Sequence, residues 1–230
     1  MCCFLIYCLL VVFQDNYLYN LKITNGGMGR IIDRDRSVVV ACDVPYESFA
    51  ALVLATNGVE GIGAYKLPLR SGRKGWERWV QSGRALTDKP LILDGQKLGN
   101  DIPATGKGIL EDVKDVGFDA AIMFPFTGPV TQYEWTRAAQ ELDLPIIMGG
   151  QMTHPRQIDG DFSNPKKGLD YTEIFRELGF EDDLTGYIRH SAPVDMFKLA
   201  ARMGVTDYVV PGNNPKTIRA MKSLLEEEGI

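Results

Sequence analysis

A chain of 230 residues with 25 lysines and arginines against 30 aspartates and glutamates has a formal net charge of -5. That balance argues against a general nucleic-acid binder, which neutralises phosphates with basic side chains. Hydrophobic content of 45% and charged content of 24% suit a soluble globular protein, and the length allows one large domain or two small ones.

The N-terminal run M-C-C-F-L-I-Y-C-L-L-V-V-F, residues 1–13, ends at Gln14, Asp15 and Asn16. It is shorter than the roughly 20 apolar residues a membrane-spanning helix needs. It also lacks the basic start and small-residue cleavage site of a signal peptide. Three readings stay open: a weak anchor, an extra element covering the fold, or sequence upstream of a true start at Met28. Residues 1–35 are therefore read as an extension and 36–230 as one domain. Cys2, Cys3 and Cys8 lie in that extension and Cys42 stands apart. No C-x-x-C pair recurs, and the two histidines have no partner at ligand spacing. No disulfide framework, metal or membrane partner is expected, and a reducing cytoplasm is.

From residue 37 short apolar runs alternate with longer amphipathic segments. Strands are expected over 37–42, 61–66, 90–94, 120–124, 145–149 and 208–211. Helices are expected over 46–56, 75–86, 106–115, 131–141, 171–178, 194–203 and 215–228. Runs rich in Val and Ile between helical patterns indicate parallel strands buried on both faces. The first strand leads into Asp43-Val44-Pro45, without a G-x-G-x-x-G, which weakens a dinucleotide-binding fold. Polar residues gather instead at strand ends: Asp43, Lys66, Asp94 with Lys97, and Thr153 with His154. That distribution predicts an α/β fold of the TIM (β/α)8-barrel type, of which six units are visible. Residues 156–190 interrupt the rhythm and read as an insertion or lid.

Each polar candidate has a plain structural role open to it. Asp43 could cap the following helix, Lys66 could lie along the surface, and His154 and His190 could be hydrogen-bonded loop residues. The stretch L-D-G-Q-K-L-G-N-D-I-P-A-T-G, residues 93–106, is harder to read that way. It sets Asp94, Lys97 and Asp101 after an apolar strand, where unpaired charge is costly. Asp94 and Lys97 are three apart, so a shared side requires a bulge or turn, which Gly95 and Gly99 can supply. A lysine held between carboxylates stays protonated and suits a proton donor to a carbanion. A salt-bridge ring at the barrel mouth is the structural alternative.

D-G-Q-K-L-G-N-D-I-P-A-T resembles the D-x-K-x-x-D-I-P-x-T signature of the orotidine 5′-monophosphate decarboxylase family, with one additional residue on each side of Lys97. Asp43, the A-Y-K-L-P-L around Lys66, M-T-H-P at 152–155 and D-Y-V-V-P-G-N-N-P-K-T-I at 207–218 resemble further segments of that family, in order. The resemblance implies a cofactor- and metal-free cytoplasmic lyase of pyrimidine biosynthesis. It implies a homodimer whose sites are shared across the interface. Lys97 would then protonate C6 of the pyrimidine, with Asp94 beside the departing carboxylate and Asp101 helping to orient Lys97. Asp43 and Lys66 would hold the ribose, Thr153 the base, and Asp101, Ile102 and Thr105 would reach into the neighbouring subunit's site. The family's last two β/α units, with a glycine-rich phosphate loop and a G-R segment, find no counterpart, so a truncated gene product is expected. Two alternatives are carried: a magnesium-dependent sugar-phosphate lyase resembling hexulose-phosphate synthase, and an inactive nucleotide-binding barrel fragment.

Overall fold

A computed structural model describes residues 31–32, 37–69, 72–150, 193–210 and 215–228. In chain order they form β1 (Val38–Ala41), α1 (Tyr46–Thr56), β2 (Ile62–Pro68), α2 (Gly72–Arg84), β3 (Leu91–Asp94) and a 3-10 turn (Pro103–Thr105). There follow α3 (Gly106–Val116), β4 (Ala120–Met123), α4 (Pro129–Glu141), β5 (Ile146–Gly149), α5 (Pro193–Arg202), β6 (Asp207–Val209) and α6 (Pro215–Glu227). Residues 1–27, the expected helix over 171–178, the insertion over 156–190, Thr153, His154 and His190 lie outside the described residues. Among the described residues no helix is long and apolar enough to cross a membrane.

Each strand pairs in parallel with the next, in the order β1-β2-β3-β4-β5-β6. A doubly wound sheet reverses its order at a switch point and carries helices on both faces. Here the order never reverses, so right-handed crossovers place every helix on one face. The opposite face must then bury its own side chains by curling. Two separate clusters record this. Val40, Tyr65, Leu93, Met123 and Met148 pack outward against the helices, with Phe49, Trp79, Trp135 and Phe197. Val39, Ala64, Ile92, Ala120, Ile122 and Ile147, the alternate residues of the same strands, pack against one another on the inner side. The product is a curled parallel sheet, six strands of a TIM-type barrel.

Helix α2 shows how the outer layer forms. Trp76, Trp79, Val80 and Gly83 are its buried residues, at the i, i+3, i+4 and i+7 spacing of one helical stripe. Trp79 meets the rings of Tyr46 and Phe49 of α1 at centroid distances of 5.2 and 4.7 Å. Gly83 lies so close to Leu91 that a Cβ there would stand 2.9 Å from Cδ1 of that leucine. Strand β2 continues to Pro68, past its expected end at Lys66. The missing N–H of Pro68 faces β1, whose ladder has already ended with Cys42 N–H donating to the Lys66 carbonyl at 2.9 Å.

Candidate active site

Alternation along the strands decides where the charges go. Ala64 and Ile92 are inner residues, so Lys66 and Asp94, each two positions on, share that side. Val39 carries the same side through Ala41 to Asp43. The register sets Ala41 beside Lys66 and Pro68 beside Asp94. Three charged side chains therefore converge at the C-terminal ends of the first three strands.

Lys66 is 6% exposed, and its Nζ donates to Asp94 Oδ2 in a salt bridge; Asp94 is 11% exposed. Asp43 Oδ2 stands 3.7 Å from the same nitrogen and is 53% exposed, at the rim. Taking an ammonium out of water requires such a partner. The second oxygen of Asp94, Oδ1, is buried and accepts no hydrogen bond from any described residue. A buried carboxylate oxygen without a donor is uncommon and suits a group that meets a ligand. Cys42, next to Asp43, points the other way into the outer core. Burial, reinforced by Asp43 and opposed by Lys66, pushes its thiol up to about 12, so it is no nucleophile.

After Asp94 the chain turns sharply. Gly95 N–H donates to the Leu93 carbonyl at 2.9 Å, and Leu98 N–H to the Gly95 carbonyl at 2.8 Å. A Cβ at Gly95 would stand 2.5 Å from the Ile122 carbonyl oxygen, and Gly99 has φ +82°. The turn expected at these glycines is present. It leaves Lys97 exposed, in a salt bridge with no described carboxylate. Asp101 is exposed and its Oδ1 accepts the Ile102 N–H at 2.7 Å. Ile102 is 62% exposed, and Thr105 Oγ1 donates to its carbonyl at 2.8 Å. The structure thus unites Lys66, Asp94 and Asp43, and leaves Lys97 and Asp101 outside that group.

The adjoining strands add features that no sequence signal marked. Phe124, just past β4, belongs to the inner cluster, and Phe126 lies against it with centroids 5.7 Å apart. A Cβ at Gly149, the last residue of β5, would fall 2.3 Å from the Phe124 ring. An aromatic wall therefore stands on the inner side of the sheet, at the same strand ends as the charges. Among the described residues no three His, Cys, Asp or Glu side chains are grouped to hold a metal ion.

Inner-face charge at strand C-termini on a curled parallel sheet is the arrangement (β/α)8-barrel enzymes use. Among solved structures the chain is similar to orotidine 5′-monophosphate decarboxylase from Methanocaldococcus jannaschii, with 18% identity and a TM-score of 0.59 over 83% of this chain and 78% of that one. A structure of that enzyme complexed with the inhibitor BMP matches at 18% identity and a TM-score of 0.57, over 83% of this chain and 74% of that one. At such identity the likeness is one of fold. No protein-family model and no curated protein matches the sequence.

Proposed function

We propose that the chain decarboxylates orotidine 5′-monophosphate to uridine 5′-monophosphate, with neither metal nor cofactor. The observation that carries this reading is the buried Lys66–Asp94 pair with Asp43 beside it, on the inner side of the strand ends. Loss of carbon dioxide from the pyrimidine leaves negative charge on a ring carbon, and a preformed ammonium stabilises that charge as it develops. A carboxylate beside the substrate's own carboxylate disfavours the ground state, and binding of the remote ribose phosphate offsets that penalty. The D-I-P-A-T segment and the fold of the archaeal decarboxylase support the same substrate.

In this reading Lys97 gives the proton to C6 from its turn, Asp94 and Asp101 act with it, and Asp43, Lys66 and Thr153 bind the nucleotide. The homodimer implied by the motif is supported by the exposure of Asp101 and Ile102, on a segment bonded to α4, where Val130 and Tyr133 are also exposed. One observation favours a second assignment: it is Lys66 that pairs with Asp94. Lys66 is then the ammonium that faces the developing carbanion.

Product analysis on the full chain with Lys66→Ala and Lys97→Ala separates the two. Loss of a group that stabilises transition-state charge lowers kcat about 10²–10³-fold. The lysine whose removal does so with little change in KM is the donor. Activity abolished by chelation would instead point to the magnesium-dependent lyase.

A further inference from the structure

The segment 98–102, between Asp94 and the 3-10 turn, is bonded at each residue to the loop after β4 or to helix α4. Phe124 N–H donates to the Leu98 carbonyl at 3.1 Å. Thr127 Oγ1 donates to the Gly99 carbonyl at 2.7 Å. Thr131 Oγ1 donates to the Asp101 carbonyl at 3.2 Å, and Trp135 Nε1 to the Ile102 carbonyl at 3.3 Å. Asn100 completes the set with its side chain: Nδ2 donates to the Phe124 carbonyl at 2.7 Å, and Oδ1 accepts the Phe126 N–H at 3.2 Å.

The β3–β4 ladder ends with Leu93 opposite Ala121. Beyond it, the Asn100 amide supplies one donor and one acceptor to the backbone of the neighbouring loop, as a further strand residue would. The amide offers the two from separate atoms, an N–H donor and a carbonyl acceptor. An isosteric carboxylate would keep the Phe126 bond and set its other oxygen against the Phe124 carbonyl.

We propose that Asn100 is a positioning residue, whose amide locks the loop bearing Lys97 and Asp101 onto the Phe124–Phe126 wall. This rests on the decarboxylase reading above. Asp94 is fixed by Lys66 and residues 98–102 by the clamp, so the turn carrying Lys97 hangs between two anchored ends. Its reach toward Asp94 is set by the clamp. The loop's extra length relative to the D-x-K-x-x-D pattern is thereby stiffened.

The test compares wild type, Asn100→Asp and Asn100→Ala in the full chain, each also in a Lys97→Ala background. Amide hydrogen exchange is read at Phe124 and Phe126, and kcat and KM on orotidine 5′-monophosphate. Asn100→Ala is expected to speed exchange at Phe124 and Phe126 about tenfold or more, and Asn100→Asp, which keeps the Phe126 bond, at Phe124, while β1 and β2 keep their protection. Both variants are expected to lower kcat about 10–100-fold with KM within twofold, and to have less than a twofold effect once Lys97 is alanine. Unchanged exchange overturns the clamp. Faster exchange with unchanged kcat, or an equal loss in the Lys97→Ala background, overturns the positioning role. A folded wild type without activity overturns the decarboxylase reading and the positioning role of Asn100 with it, while exchange still reports the clamp.

Discussion

An ammonium as buried as that of Lys66 persists in a fold only beside carboxylates, and a pair like this seldom adds net stability. Removing one partner leaves the other charge alone in the interior. Lys66→Met and Asp94→Leu are each expected to lower the unfolding free energy by about 3–5 kcal/mol. The double variant, which removes both charges, should recover most of that loss in urea titrations. If the pair serves chemistry, all three proteins are inactive, including the stable double variant. A double variant that keeps its activity would return the pair to a structural role. Cys42 gives a second residue-scale prediction. Its thiol rises from an ordinary 9.0 to about 12, so it stays protonated through neutral and mildly alkaline pH. Peptide mapping after alkylation at pH 8 should find Cys42 unmodified in the native chain and modified after unfolding. By the same linkage its contribution to stability is complete below pH 9 and disappears as pH climbs towards 12, because the unfolded thiol ionises first.

At the scale of the elements, the loop between β3 and α3 is shaped by glycines where no side chain fits. Gly99 combines φ +82° with a would-be Cβ 3.0 Å from Pro125 Cα. Gly99→Ala is expected to lower stability by roughly 1–3 kcal/mol in urea titrations. Gly58→Ala, in open space and without positive φ, should be neutral or slightly stabilising. The strands and helices themselves were largely legible in the sequence. Helix α1 matches its expected span, and every described strand lies where an apolar run stood. Boundaries moved where the signal was backbone rather than side chain. Helix α2 starts at Gly72, since Gly-Arg-Lys shows no apolar periodicity, and α4 starts at Pro129, a proline in the first turn that the periodicity ignored. The site divides in the same way. Asp43, Lys66 and Asp94 are strand-end residues on one alternation phase, so the sequence carried them. The pairing of Asp94 with Lys66, 28 residues away, was hidden behind the nearby Lys97, because it depends on register between strands. Asn100, Thr127 and Phe126 carried no local pattern at all.

At the scale of the molecule, strand order and curvature produce the site. An unreversed order leaves one face without helices, curling makes that face an interior, and alternation delivers charges to its C-terminal rim. The chain carries a net charge of -5, yet it presents a fixed ammonium on the inner side of the sheet. In the proposed reading the orientation of that ammonium, not overall charge, is what meets the anionic substrate. The most direct test supplies the full chain with orotidine 5′-monophosphate labelled at its carboxylate and measures the label released as carbon dioxide. The account predicts steady release by the wild-type chain and a loss of at least 10²-fold in the Lys66→Ala/Lys97→Ala double variant. No release from folded wild-type protein, or equal release from that double variant, would contradict it.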